Sequence, residues 1–511
     1  MRKLLYILIV LPVLAKSQIW QDSLFINSQK ANVYSIGLLR HGLNDSIGSY
    51  GRVGLYYDHS SGNYRRAQQA FSKSSVSFQA EGSSRINKFS ISGDFTFDKI
   101  FEDSLSNSLR SDLDPLSPFY HYASKGNKYE RQNYIANTTI SYDLIPRILS
   151  PFLHVNYRTH WTTGSIDPRP GVKKFVLKYN PGLTYRTKKG GTFGLMAIVG
   201  HSDEKVSINF KNKGYEQSTT FPERISYINF GYGYSSIKDS LYLSKFTAYK
   251  GAEFTIKDAL GNWNLLSFVR YERSVEESTH TAKTSPRYSI RGKFLLNQYS
   301  GRLLFTKIGD QHDQQLDIEA QIFDGYDGHI DFSSDLSVVN YEVSQNTARI
   351  AYSLIFNKQQ RTEHELGLTL NYYQEKRSDA AQSTGLSARQ LSIAPLYRSY
   401  IDVSDNSMLI AKVAPFYNFP VQAEVVTNPN SVNTFTRNVV YTDYYYFDSK
   451  LAGASLGVSW LSNNLLRKNI IEFGIDFHYL KKLNAPDITY EAGFVPDKSR
   501  SYSNASVKLF F

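Results

Sequence analysis

Two segments of this 511-residue chain contain residue types that serve catalysis or metal binding in other proteins. Gly453–Gly457 has the pattern G-x-S-x-G of a nucleophile elbow, in which a sharp strand-to-helix turn exposes the serine. Because this segment lies inside an alternating strand pattern, we interpret it as small residues that face an interior. Asp324, Asp327 and Asp331 offer the oxygen ligands that calcium prefers, but their spacing does not match an EF-hand loop. An ordinary solvated loop is the better interpretation, so we expect no enzyme activity, no metal site and no cofactor.

Charged residues at alternate positions of several strand-like segments are more informative. A charged side chain that faces hydrocarbon costs several kcal/mol, so in membrane-spanning strands these residues must face water or each other. The residues that we predict to line a lumen are His154, Arg158, Asp317, Glu319, Glu365, Glu472, Asp476 and His478. Two interpretations stay open. The residues form a polar permeation path or docking points for a plug, or they form a lattice of ion pairs that braces a wide barrel.

The segments that carry these residues alternate between apolar and polar positions, which is typical of β-strands with two different faces. Clear examples are Leu153–Trp161, Leu316–Ile322, Leu366–Tyr372 and Ile471–Tyr479. Short turns and long polar loops follow one another along the chain. The long loops are expected at about residues 58–74, 99–131, 162–173, 204–240, 277–297, 324–346, 377–388, 418–444 and 481–500. This layout predicts an all-β fold, a transmembrane antiparallel barrel of about 18 strands (16 as the runner-up), with short periplasmic turns and long extracellular loops.

The N-terminus has the features of a secretory signal peptide. Arg2 and Lys3 give a positive start, Leu4–Leu14 form a short apolar core, and small residues follow at Ala15 and Ser17. We therefore predict a signal peptide at 1–17, a periplasmic segment or plug candidate at 18–48, and the barrel at 49–511. A poorly ordered tail is an equal alternative for 18–48. The chain contains no cysteine, which excludes disulfides, thiol catalysis and a lipidated cysteine.

The last residues resemble the C-terminal assembly signal of outer-membrane barrels. Phe511 ends the chain, and Leu509 and Val507 lie on the same face of the final strand. This pattern predicts an outer-membrane location and the barrel assembly machinery as a partner.

Composition agrees with a barrel and bears on partners. Aromatic residues make up 14% of the chain and tyrosine alone reaches 38, which suits the aromatic girdles at the two membrane interfaces. The Tyr441–Phe447 cluster is interpreted as part of such a girdle rather than as a ligand-stacking surface. The net charge is +12, but the positive residues are scattered, so we expect lipid and lipopolysaccharide as partners and no nucleic acid. Arg65 and Arg66 either fold over the lumen or contact lipopolysaccharide phosphates.

Several segments resemble an uncharacterised family of outer-membrane β-barrel proteins from Bacteroidota, known as a domain of unknown function. The segments are Ser61–Gln68, Ser75–Phe97, Ser117–Tyr120, Tyr129–Tyr134, Asp167–Pro170 and Asn180–Tyr185. Within the best of them, Asp167 and Arg169 alternate with prolines that fix the backbone at the start of a loop. The resemblance implies the barrel fold and the outer-membrane location, and it implies no activity.

The leading prediction of function is transport, as a channel or as an accessory component of an outer-membrane uptake complex. Candidate protein partners are a TonB-dependent transporter or a surface lipoprotein. The alternative is a structural barrel, closed by its loops, that captures a ligand or partner at the surface. An outer-membrane enzyme is the weakest of the three interpretations.

Overall fold

The computed structural model describes residues 49–111, 116–216, 218–236, 240–282, 289–330, 337–358, 361–466, 469–485 and 488–511. The predicted signal peptide at 1–17 and the segment at 18–48 lie outside the described residues, so both stay predictions. Among the described residues, no helix is long and apolar enough to span a membrane.

Eighteen antiparallel strands of the described chain form one closed barrel, in which each strand pairs with the next along the chain. The first nine are β1 (Tyr50–Gly62), β2 (Ser72–Ile86), β3 (Phe89–Leu105), β4 (Asn127–Tyr142), β5 (Leu149–Gly164), β6 (Arg169–Arg186), β7 (Thr192–Asn209), β8 (Ser240–Leu260) and β9 (Trp263–Ala282). The others are β10 (Ser289–Lys307), β11 (His312–Ile330), β12 (Tyr341–Lys358), β13 (Arg361–Asp379), β14 (Thr384–Ser404), β15 (Ser407–Thr427), β16 (Leu451–Leu466), β17 (Asn469–Lys482) and β18 (Ser499–Phe510). A two-residue strand, Ser337–Val338, pairs beside the end of β11.

The first and last strands close the barrel. Their register runs from Arg52 opposite Phe510 to Gly62 opposite Arg500. The backbone of Phe511 extends this pairing: Gly51 N–H donates to the Phe511 carbonyl at 2.7 Å, and Phe511 N–H donates to the Gly51 carbonyl at 2.9 Å. These pairings close the sheet of the barrel among the described residues, and the predicted 18-strand barrel is confirmed.

Connections at the two ends of the barrel differ in length. At the short-turn end they contain two to six residues, as between β2 and β3 or between β4 and β5, whereas 106–126, 210–239 and 428–450 lie at the opposite, long-loop end. Three predicted long loops are much shorter than expected, because β5–β6, β9–β10 and β13–β14 are joined by only 165–168, 283–288 and 380–383. The polar residues around them continue the strand ladders, so their polarity alone gave a wrong loop length.

The two faces of the wall follow the predicted alternation. Leu366, Leu368 and Leu370 on β13 point outward and are 47%, 42% and 43% exposed. Glu365, which precedes them on the strand and faces the barrel interior, is buried. Similar large apolar side chains are exposed around the outside of the wall, which is typical of a transmembrane barrel. The acidic segment also belongs to the wall: Asp324 and Asp327 lie in β11 rather than in a loop, and Asp331 lies outside the described residues.

The long loops contain secondary structure of their own. Short strands at Tyr120–Tyr122, Tyr227–Asn229 and Ser235–Ser236 form a small sheet. A π-helical turn, Thr436–Val440, leads into the α-helix Tyr441–Phe447. The girdle interpretation of Tyr441–Phe447 is therefore wrong, since this helix is largely buried among the loops.

Candidate functional site

The loop 106–126 crosses the interior of the barrel. It starts at β3, yet Ser117 Oγ donates to Glu276 of β9 at 2.6 Å, and Ser111 Oγ contacts Glu204 of β7 at 3.3 Å. On the far side, the Tyr341 hydroxyl at the start of β12 donates to the Leu116 carbonyl at 3.1 Å. Because these contacts lie on widely separated strands, the loop spans the lumen instead of extending away from the barrel.

An apolar core joins this loop to the other long loops. Phe119, Ile228 and Phe435, from the loops 106–126, 210–239 and 428–450, are each 0% exposed and belong to one cluster. The cluster also contains inward-facing wall residues, among them Phe294 of β10. Gly292 leaves room for this contact, because a Cβ there would lie 2.4 Å from the Phe119 ring. Full burial of one such side chain stabilises the packed arrangement by about 1.5–3 kcal/mol. A buried apolar core therefore holds the long loops over the lumen, and we call this arrangement the closure.

Arg66 connects the loop 63–71 to the wall and to the loop 428–450 through ion pairs. Its Nη2 lies 2.6 Å from Asp443 Oδ2 in the helix Tyr441–Phe447 and 3.0 Å from Glu375 Oε1 on β13. Glu375 also accepts from Arg377 Nε at 2.9 Å, and Asp443 Oδ1 accepts from the Ala67 N–H at 2.9 Å. The Arg66 guanidinium therefore joins one loop, a second loop and the wall, and we call Arg66, Glu375 and Asp443 the loop latch.

The electrostatics of the latch favour its charged form. Burial alone would lower the pKa of the Arg66 guanidinium, but the carboxylates of Asp443 and Glu375 outweigh it and raise that pKa well above its usual value. The Arg66 guanidinium also lies 4.8 Å from the Phe447 ring centroid, a cation–π contact. Arg66 is thus held by contacts within the chain, as expected if it folds over the lumen.

The other three predicted loop residues, Arg65, Asp167 and Arg169, contact their own loops or the neighbouring loop. Arg65 Nη1 donates to the Gln69 carbonyl at 2.7 Å, and its guanidinium lies 4.6 Å from the Phe494 ring centroid. Asp167 accepts from the N–H groups of Lys211 and Asn212 at 3.0 and 2.9 Å and from Arg169 Nε at 2.8 Å. Asp167 thus joins the β5–β6 turn to the loop 210–239.

The predicted lumen residue Asp317 lies at the centre of a three-strand ion-pair group. Its carboxylate contacts Arg302 Nε of β10 at 2.7 Å and Arg349 Nη1 of β12 at 3.0 Å. Glu319, two residues along β11, lies opposite Arg302 on β10 and Arg349 on β12 in the strand register. This is the geometry of a bracing lattice rather than of a row of unpaired charges.

Three other predicted acids lie in similar pairs between strands. The pairs are Glu365 with Arg398, Glu472 with Lys508 at 2.9 Å, and Asp476 with Lys412 at 3.4 Å. Because the partners lie on different strands, each pair braces the wall across the sheet.

The two predicted histidines and Arg158 complete the set. His154 Nδ1 lies 2.8 Å from Thr139 Oγ1, and His478 Nδ1 lies 2.6 Å from Ser455 Oγ, the serine of the G-x-S-x-G segment. His478 and Asp476 line a chamber of about 610 Å³ below the loop 63–71. Arg158 lines a second chamber, of about 580 Å³, below the loop 106–126.

Glu375, Asp443 and Ser117 are site residues that the sequence reading missed. Alternation marks Glu375 as inward-facing, since it shares the face of Glu365 on β13. No local pattern identifies Asp443 or Ser117, because their partners are distant in sequence: Arg66 and Asp443 are 377 positions apart.

Comparison with protein families identifies the chain. It matches the family of unknown function DUF6850 over residues 40–511, and it belongs to that family. This agrees with the resemblance to an uncharacterised family, whereas an origin in Bacteroidota stays a prediction. No curated protein matches the chain.

Solved structures show similar barrels. The copper transporter OprC has a TM-score of 0.42 and 7% identity, over 91% of this chain and 83% of that chain. The FrpB iron transporter from Neisseria meningitidis (F5-1 variant) has a TM-score of 0.41 and 10% identity, over 93% and 83%. BauA, the ferric preacinetobactin receptor from Acinetobacter baumannii, has a TM-score of 0.38 and 9% identity, over 91% and 80%. Likenesses at this level do not bear on what this chain binds or carries.

Proposed function

We propose that this protein is an outer-membrane barrel of an uptake system that is closed at rest by its own loops. In this proposal it works either as a gated channel or as an accessory barrel beside a transporter, not as a permanently open pore. The observation that carries the proposal is the loop 106–126, which crosses the lumen and contributes Phe119 to a buried core with the wall.

The orientation in the membrane follows from the barrel. Short turns face the periplasm and long loops face the outside in outer-membrane barrels, so the closed end is the extracellular end. The exposed apolar side chains of the wall then face lipid. Lipopolysaccharide would surround the long-loop end, and a TonB-dependent transporter or a surface lipoprotein are the candidate protein partners. The proposal assigns no enzymatic reaction to the chain.

Planar-bilayer conductance tests the closure. The wild-type protein should give few or no stable openings, whereas replacement of residues 108–121 by a short Gly-Ser linker should give ion-conducting openings. A Gly-Ser replacement of 187–191, at the short-turn end, is the matched control and should stay silent. Slower gel migration after heating would show that each variant is a folded barrel. Large stable openings of the wild type, unchanged by the linker, would refute the proposal.

A second measurement separates the two forms of the proposal. The protein can be isolated from its native outer membrane in mild detergent through an affinity tag placed in the connection 187–191. Recovery of a transporter in equal amounts, with a silent barrel, favours the accessory form. Gated conductance without a stable partner favours the channel form.

The surface-capture barrel remains the second candidate, because the same closed end favours it. The two candidates differ in one measurable respect. In a barrel that only captures a ligand, the loop 106–126 does not need to move aside. The Gly-Ser variant of 108–121 should then lose ligand binding without gaining regulated transport.

A further inference from the structure

We propose that the chamber below the loop 106–126 binds an uncharged, hydroxyl-rich ligand of about the size of a disaccharide. This inference rests on the proposed uptake function and names a ligand class for it. The chamber has a volume of about 580 Å³, within the range of small-molecule sites. Leu116 and Ser117 of the loop form its roof, and inward-facing residues of strands between β5 and β12 form its wall.

Three glutamines give the chamber its hydrogen-bonding capacity. Gln298, Gln321 and Gln345 lie on the neighbouring strands β10, β11 and β12 and all line the chamber. Among the described residues, none of the three amides has a hydrogen-bond partner. Each amide offers two N–H donors and one acceptor oxygen, which suits hydroxyl groups better than ions.

An aromatic ring lies in the same row of the wall. Phe323 of β11 is directly opposite Gln298 on one side and Gln345 on the other. It also lines the chamber. An aromatic ring with an amide on each side can bind a sugar. The C–H face of the sugar contacts the aromatic ring, and the sugar hydroxyls form hydrogen bonds with the amides.

The charged residues around the chamber are already engaged with each other. The pairs are Lys178 with Glu272 at 2.6 Å, Lys245 with Glu276 at 3.1 Å, and Lys174 with Glu204 at 3.1 Å. A charged ligand would have to compete with these pairs, whereas a neutral one leaves them intact. Arg158 lies at the edge of the chamber, so an anionic ligand is the alternative that the test must separate.

Calorimetric titration of the full-length protein in detergent micelles tests the inference. The neutral probes are maltose, cellobiose and N,N′-diacetylchitobiose, and the anionic probe is galacturonate. At least one neutral probe should bind, and Gln298→Ala/Gln321→Ala/Gln345→Ala should weaken its binding at least tenfold. Gln321→Ala alone should weaken it less, which keeps the test open if the triple variant does not fold.

Gln315→Ala is the matched control, because Gln315 lies on the same face of β11, roughly 20 Å toward the short-turn end, and does not line the chamber. It should bind like the wild type. Binding of galacturonate alone, equal binding by the triple variant, or no binding by the wild type and by a Ser117→Ala variant with a looser roof would each overturn the inference. None of these outcomes depends on conductance, so the closed-barrel proposal stands or falls separately.

Discussion

Replacement of Arg66 by alanine should release the loops that close the lumen. The substitution leaves the Asp443 carboxylate, whose side chain is 5% exposed, without its guanidinium partner, and it removes one of the two arginines on Glu375. Removal of one partner from a buried ion pair costs about 3–5 kcal/mol. Because Arg66 is 29% exposed and Glu375 keeps Arg377, we expect the lower end, about 3 kcal/mol.

That free energy sets the size of the measured effect. A change of about 3 kcal/mol corresponds to about a hundredfold change in an equilibrium constant. The open probability of single barrels in a planar bilayer should therefore rise about a hundredfold in the Arg66→Ala variant. Arg66→Lys keeps the charge but not the planar guanidinium that contacts both carboxylates. Its open probability should therefore lie between those of the wild type and the Arg66→Ala variant.

The matched control for this substitution is Arg85→Ala. Arg85 also pairs with an aspartate, Asp143, but at the short-turn end and with a 49% exposed side chain. It should leave the open probability unchanged, since exposed pairs contribute little. If the Arg66 variant stays folded and is as silent and as protease-resistant in the loop 63–71 as the wild type, the latch does not hold the closure.

Three further predictions concern other parts of the barrel. Burial and, to a lesser extent, Lys245 lower the pKa of His121 to about 4, so acid should weaken the loop core between about pH 6.5 and pH 4 by up to about 3 kcal/mol. We expect the conductance of the wild type to rise as the pH falls over this range, and the conductance of the His121→Gln variant to stay constant. Asp317→Asn leaves Arg302 and Arg349 without their shared carboxylate, and should lower the temperature at which the folded gel band disappears. Deletion of Phe511 removes two backbone hydrogen bonds of the closing strand pair and should reduce the fraction of heat-modifiable barrel in the membrane, whereas equal assembly would contradict the C-terminal signal.

Local sequence patterns were sufficient for the wall. The alternation in Leu366–Tyr372 assigned the faces of β13 because successive side chains of a strand point to opposite sides. The spacing of turn signals gave the strand number because every strand is joined to its sequence neighbour. The failures occurred beside 165–168, 283–288 and 380–383, where the polar ends of the flanking strands were read as loop. Strands that extend beyond the apolar band become polar but remain strands.

The sequence by itself determined a closed, two-faced barrel, because alternation and turn chemistry act between residues close in the chain. Only the tertiary structure decided what fills the long-loop end of the barrel. Arg66 reaches Glu375 and Asp443 across 309 and 377 positions, so no local pattern in the sequence could predict these contacts. The residues that could carry chemistry therefore belong to two different systems. Acids of the wall such as Asp317 and Glu472 pair with other strands, whereas Arg66 and Asp443 of the loops meet Glu375 of the wall at the long-loop end.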